Sequence, residues 1–519
     1  MKKLKKSDWL LVFIFIVLFI FLHWNNFNMP LERDEGEYAY SAWLMKQGKM
    51  PYQSAFIQKP PLIIYTYVLA QLVPVDGYWA PRLLAYFPIV GTIIFLGLIA
   101  SKLWGKTWGW VSVFLSTGFL ANPYILPFTA NTEIFMMWPL TGVLALYVFK
   151  RSEAGYISWF ISGCLAALAL LFKPIALFFL FFLFGVWFWE QLREKISFVK
   201  LVLRVLIVLL GGSLVTALTL LPFWLKGLVG EIWQMVVVFN SQYLSSGHFG
   251  WDHTLRYWGY FWQVWKLPSL LLLTLALLWP KRTWFYLGLL LVSVLAVYRS
   301  DAGHYFLLLI PGLTLATVLA LKTVLTKFKD PKIQAKSNLI ALLSVIVLLA
   351  SFFVPRGEMF TMTTHELSWW MFGFNTPFVE SRAMSKIINQ RTKPHDKVFV
   401  LGSEPQILFY AQRESASRFV IVNPLIIETD FRLNYQLKTI EELKKNLPKL
   451  ILVSELSTSG AWDLAAENPL LDYLDVELAQ NFERVGCWAR QTHAADYGQW
   501  QEEVEEVEKC SLVLFRRKS

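Results

Sequence analysis

Charge, cysteine and phosphate-binding glycine loops are all scarce in this chain. Only 16% of its 519 residues are charged, while 56% are hydrophobic. A soluble protein rarely has that balance. The balance points to long apolar helices, each needing about 20 residues to cross a bilayer. Cysteine occurs three times, too few for a disulfide-stapled scaffold. No Gly-rich phosphate loop follows a strand, so no nucleotide site of that kind is expected. There is no internal repeat and no low-complexity linker. The first apolar stretch lacks a small-residue cleavage site, and His23-Trp24-Asn25-Asn26 stands in its place. The segment Met1-Lys2-Lys3-Leu4-Lys5-Lys6 therefore reads as the cytoplasmic flank of an uncleaved first helix. The net charge of +11 is spread between apolar runs instead of forming one basic patch, so no nucleic-acid partner is expected.

What is present is a series of apolar runs. They predict about eleven spans, near 9–23, 81–101, 108–127, 132–149, 157–172, 174–190, 201–225, 267–279, 283–298, 303–321 and 338–354. The stretches 35–47 and 62–74 read as helices lying along the membrane surface, the second being short for a crossing. With the N-terminus inside, the inner loops hold Lys102 and Lys106; Lys150 and Arg151; Arg193, Lys195 and Lys200; Lys281 and Arg282; and Lys322, Lys327, Lys329, Lys332 and Lys336. All five loops are basic, as the positive-inside rule requires. The opposite loops carry the carboxylates.

Composition changes near residue 380. Runs 397–402, 449–454 and 511–515 read as strands, with helices over 405–412 and 439–446 between them. The predicted fold class is a polytopic α-helical membrane protein with a C-terminal extracytoplasmic α/β domain. Residues 1–379 form the transmembrane part, including a first outer loop over 24–80, and residues 380–519 form the outer domain. Cys164 falls inside a span. Cys487 and Cys510 fall on two predicted strands of the outer domain, where they either bridge or remain two free buried thiols.

The densest chemistry sits in the first outer loop, in Leu31-Glu32-Arg33-Asp34-Glu35-Gly36-Glu37-Tyr38 and then Gln58-Lys59-Pro60-Pro61. Ionisable groups beside a bilayer are costly unless used. Read locally, Asp34 caps a helix that starts there, and Glu35 favours its positive end. Read chemically, a carboxylate takes a proton and Lys59 meets a phosphate, its direction restricted by the two prolines. Arg82, Glu133, Lys173 and the segment Asp301-Ala302-Gly303-His304-Tyr305 fall at the outer ends of later spans. The loop 226–266 adds His248, Trp251, Asp252, His253, Arg256 and many aromatics, which suit either sugar faces or an interfacial belt.

Together, Arg33-Asp34-Glu35-Gly36-Glu37-Tyr38, Gln58-Lys59-Pro60-Pro61-Leu62 and Pro81-Arg82-Leu83 resemble the membrane glycosyltransferases of the GT-C fold. The resemblance is to the branch that contains the dolichyl-phosphate-mannose protein mannosyltransferases and the bacterial lipid A aminoarabinose transferases. His304-Tyr305-Phe306 followed by Pro311 resembles that family's late segment. The resemblance implies an inverting transfer of a sugar from a polyprenyl-phosphate donor to a lipid, glycan or protein hydroxyl at the outer membrane face; the Lys-rich uncleaved N-terminus and the compact outer domain favour a prokaryotic plasma membrane. It implies Asp34 with Glu35 at the reaction centre, and Lys59, Arg82, His304 and Tyr305 at the donor phosphate. Glu133 and Lys173 are the supporting residues. Aminoarabinose transferases carry Glu before the lysine as part of a proposed metal site. This chain has Gln58 there, which argues against that site; no cofactor is expected to be required, and a divalent metal is left as an unsupported alternative. The alternatives from other classes are a flippase or transporter of lipid-linked sugars, and an inactive partner subunit.

Overall fold

The structure is a computed structural model describing residues 6–74, 79–126, 128–150, 155–246, 251–252, 254–262, 266, 268, 280–300, 302–327, 336–373, 375–460, 468–490, 498–503 and 509–518. Apart from residue 268, the predicted span 267–279 lies outside these residues, as do the candidates His248, His253 and Asp301. The principal helices are α1 (Lys6–His23), α2 (Arg33–Lys46), α3 (Leu62–Ala70), α4 (Ala80–Trp104), α5 (Lys106–Phe119), α6 (Thr132–Lys150), α7 (Tyr156–Phe172), α8 (Ala176–Arg193), α9 (Phe198–Trp224), α10 (Pro280–Val297), α11 (Ile310–Lys327), α12 (Ser337–Phe353), α13 (Ser381–Arg391), α14 (Pro405–Ala411), α15 (Arg432–Asn446) and α16 (Pro469–Asn481).

Among the described residues, 7 helical stretches are long and apolar enough to cross a bilayer, and α7 and residues 284–297 of α10 are shorter apolar helices. The chain is an integral membrane protein of mainly helical build with a C-terminal sheet. The predicted span 108–127 is corrected: α5 ends at Phe119 after 14 residues. The chain then turns at Asn122-Pro123 into a short 3-10 helix, Pro123–Ile125. Proline disfavours helical backbone in the residue before it, which is why the apolar run does not continue as one helix.

Packing divides the chain along lines other than chain order. One compact unit holds Met1–Phe27, Arg82–Thr219 and Phe249–Thr361, and the other holds Asn28–Pro81, Leu220–His248 and Met362–Ser519. The first outer loop therefore packs with the C-terminal residues.

Within the first unit, most residues of the apolar stretches of α6 and Gly303–Thr326 are buried, whereas few of those in Leu339–Phe360 are. The first two form an interior. The last turns Ile346 and Val347 outward, as a lipid-facing helix does. Where α7 crosses α9, a Cβ on Gly163 would fall on the Val208 carbonyl oxygen, and one on Gly211 on the Phe160 carbonyl. Lipid tails supply no hydrophobic drive between spans, so small residues that allow close backbone approach hold such crossings.

The second unit is built on a five-stranded sheet, β1 (Val398–Leu401), β2 (Leu450–Ser454), β3 (Phe482–Ala489), β4 (Trp500–Gln501) and β5 (Cys510–Arg517), in the order β1-β2-β5-β3-β4. β1 and β2 run parallel, with Val398 opposite Leu450, and the other pairs are antiparallel. All four residues of β1 are buried, as in a strand covered on both faces. Cys487 and Cys510 are bridged, tying β3 to β5, so of the two readings of these cysteines the disulfide is the one adopted.

Candidate active site

In the second unit, helix α2 begins with a capping box. The Glu32 carboxylate accepts the backbone N–H groups of Asp34 (3.0 Å) and Glu35 (3.1 Å), and Glu35 Oε2 accepts from Glu32 N at 3.2 Å. The cap is therefore Glu32 and not Asp34, which corrects the local reading of the sequence. The first helical N–H groups need acceptors, and Glu32 supplies them from outside the helix. Burial holds the Glu32 carboxyl well above the usual carboxylate range, and the charges of Asp34 and Glu35 add to the effect. Glu35 is fully buried and turned back to the cap. Asp34, one residue earlier, keeps 27% of its side chain exposed.

Two further contacts hold this helix end. Arg33 donates through Nε to the Ser403 carbonyl (2.5 Å) and through Nη2 to Glu404 Oε1 (2.9 Å). Gly36 lies against α14, where an added Cβ would sit 2.6 Å from the Gln406 backbone nitrogen. The glycine in the charged motif thus serves close approach of two helices.

Lys59 reaches the same end of α2. Its Nζ lies 4.0 Å from Asp34 Oδ2, and its side chain is 12% exposed. The main chain around it is held by two side chains that the sequence reading did not single out. Tyr52 Oη donates to the Lys59 carbonyl at 2.7 Å, and Asn240 Nδ2 donates to the Gln58 carbonyl at 2.8 Å. Pro61 then caps α3. The structure so brings Asp34 and Lys59 together across 24 intervening residues, with Glu35 beside them in a capping role.

The other candidates belong to the first unit. Glu133 opens α6, Lys173 ends α7 and His304 lies in the 3-10 helix Gly303–Leu309 that leads into α11. Three chain segments thus meet. Lys173 Nζ is 2.5 Å from Glu133 Oε1, His304 Nε2 is 3.7 Å from the same oxygen, and Thr132 Oγ1 donates to Glu133 Oε2 at 2.9 Å. Lys173 Nζ also sits 4.1 Å from the centre of the Tyr305 ring, a cation–π contact. Arg82 is buried and donates through Nη1 to the Asn26 carbonyl at 3.3 Å, where the chain leaves α1. Asn26 Oδ1 in turn accepts from Tyr86 Oη at 2.9 Å. Among the described residues, no three His, Cys, Asp or Glu side chains are grouped so as to hold a metal ion.

No protein-family model matches the chain, and the comparison with curated proteins likewise returned no match. Solved structures do match. ArnT from Cupriavidus metallidurans in the apo state aligns over 98% of this chain and 98% of its own, at 13% identity and TM-score 0.61. The same protein bound to undecaprenyl phosphate aligns over the same shares at 14% identity and TM-score 0.57. The archaeal oligosaccharyltransferase AglB from Archaeoglobus fulgidus, in complex with an inhibitory peptide and a dolichol-phosphate, aligns over 96% of this chain and 74% of its own, at 11% identity and TM-score 0.51. At such identities the likeness is one of architecture, and it establishes that this chain has the GT-C fold which its first-loop motifs resemble.

Proposed function

We propose that this protein is an inverting glycosyltransferase that moves a sugar from a polyprenyl-phosphate donor to a hydroxyl of a lipid, glycan or protein acceptor. The observation that carries the reading is the pairing of a part-exposed carboxylate, Asp34, with the Lys59 ammonium 4.0 Å away. Asp34 takes the proton of the acceptor hydroxyl as its oxygen attacks the anomeric carbon. The bond from that carbon to the phosphate oxygen breaks, and its electron pair leaves with the lipid phosphate. Lys59 stabilises the charge that grows there. A single displacement of this kind inverts the anomeric centre, and it needs no nucleotide or metal cofactor.

Asp34 is favoured over Glu35 as the base because Glu35 is buried and accepts the Glu32 N–H. The same reading assigns Arg82, His304 and Tyr305 to the donor phosphate. Glu133 and Lys173 hold the last two in place. The basic inner loops favour a cytoplasmic N-terminus, with Asp34 and the sheet on the outer side. A Cys487–Cys510 disulfide suits an oxidising compartment there. Undecaprenyl phosphate in the ArnT complex and dolichol-phosphate in the AglB complex support a polyprenyl-phosphate donor.

The test is transfer from a panel of radiolabelled polyprenyl-phosphate sugars to extracted membrane lipids and proteins in detergent. Wild type is expected to form a covalent product with one donor, and Asp34→Asn none. A flippase would form no product in detergent, and an Asp34→Asn variant with full activity would remove the assigned base.

A further inference from the structure

The Lys59 side chain is aimed by its backbone, and that backbone is held to an unusual degree. Pro60 restricts Lys59 to extended conformations. Tyr52 donates its hydroxyl to the Lys59 carbonyl at 2.7 Å. Asn240 donates to the neighbouring Gln58 carbonyl at 2.8 Å and, from the same amide nitrogen, to the Val236 carbonyl at 2.8 Å. Asn240 directly follows Gln234–Phe239, a π-helical turn. Such turns are rare inside helices and frequent at functional sites.

Tyr52 is itself strained. Its φ of 71° is left-handed, an outlier for a bulky aromatic residue. Conformations of this kind persist where the surroundings over-determine them. Here the surroundings are full burial, a ring packed edge-on against Phe223 at 5.4 Å between centroids, and a turn in which Tyr52 N donates to the Ala55 carbonyl. Burial, with the nearby Glu37 charge adding, holds the Tyr52 hydroxyl well above its ordinary range, so it stays a donor at all working pH values.

We propose that Tyr52 and Asn240 are positioning residues: they grip the Lys59 and Gln58 carbonyl oxygens and so aim the Lys59 ammonium at Asp34 and the donor phosphate. This rests on the function proposed above and extends it to two residues that touch no reacting atom.

The experiment measures undecaprenyl phosphate binding to the full-length protein in detergent, for wild type, Tyr52→Phe, Lys59→Gln and the double variant. Tyr52→Phe keeps the buried ring and loses one hydrogen bond, so binding is expected to weaken roughly tenfold. In the Lys59→Gln background the same change is expected to have no further effect, because the grip then has no ammonium to aim. Asn240→Leu, close in size, is expected to behave like Tyr52→Phe, and it provides the reading if Tyr52→Phe does not fold. Binding unchanged in these variants, or an equal loss in the Lys59→Gln background, overturns the positioning role. A Lys59→Gln variant that binds as tightly as wild type overturns the functional reading, and the inference falls with it.

Discussion

Two of the acid–lysine pairs of this protein are built in opposite ways. Glu133 and Lys173 stand 2.5 Å apart, with side chains 1% and 9% exposed. Asp34 and Lys59 stand 4.0 Å apart, with 27% and 12% exposed. The first pair is closed: each charge needs the other, because neither reaches water and burying a lone charge is costly. The second is longer and less buried. Under the proposed function, a carboxylate that takes a proton and an ammonium that meets a leaving phosphate work best when they are not locked to each other. The contrast separates a pair buried between chain segments from one that keeps part of its surface exposed and that the proposed function assigns to the reaction. Glu35 adds a related lesson within one motif: adjacent carboxylates divide into one that is buried in the capping box and one that keeps part of its side chain exposed.

The comparison breaks most sharply at Asp34. Asp34→Asn is expected to lower transfer by about a thousandfold, within the span typical of a lost general base, while thermal unfolding in detergent stays close to wild type. The closed pair should answer the other way. Glu133→Gln leaves Lys173 buried without its counter-charge, and a loss of about 3 kcal/mol in stability is expected, read by thermal or denaturant unfolding. The double change Glu133→Gln with Lys173→Met should restore much of that loss. Comparable single and double variants would erase the distinction drawn here.

Gly36→Ala sharpens the comparison from the scaffold side. Its methyl would press on the Gln406 backbone, where overpacking costs roughly 1–3 kcal/mol. Because α2 carries Asp34, activity should fall by more than the stability loss alone explains.

The smallest expected effect is a pH dependence. Burial raises the Glu380 carboxyl from 4.5 to about 8, and the Glu404 charge adds to the shift. A folded-state value above the unfolded one means that the folded form binds the proton more tightly. Stability is then fully present below the unfolded value and declines as pH rises toward about 8. Glu380→Gln should flatten that decline in a series of melting curves, and an unchanged slope would assign it to other groups.

Much of this was legible in the chain. The apolar runs marked α1, α4, α6 and α9 because a helix in lipid must satisfy its backbone internally and present apolar side chains outward. The runs 397–402, 449–454 and 511–515 emerged as β1, β2 and β5, since short apolar stretches between helical segments have few other solutions. Even α15 was half visible, read from residue 439 where it begins at Arg432. The failures were local. The run after Lys106 hides its break at Asn122-Pro123 among apolar neighbours, and the capping role fell on Glu32 when Asp34 is the commoner capping residue.

Hydropathy and charge order thus determined by themselves that this is a polytopic membrane protein with a terminal sheet, and which ionisable residues merit attention. These properties are written in local periodicity and composition. Only the tertiary structure decided that Glu133, Lys173 and His304 meet from three segments, that Cys487 bridges to Cys510, that Asp34 is part-exposed while Glu35 is buried in the cap, and that Tyr52 and Asn240 hold the backbone of Lys59 and Gln58. Those facts depend on pairings between residues far apart in the chain or on the course of a loop, and neither leaves a repeating signature in the sequence.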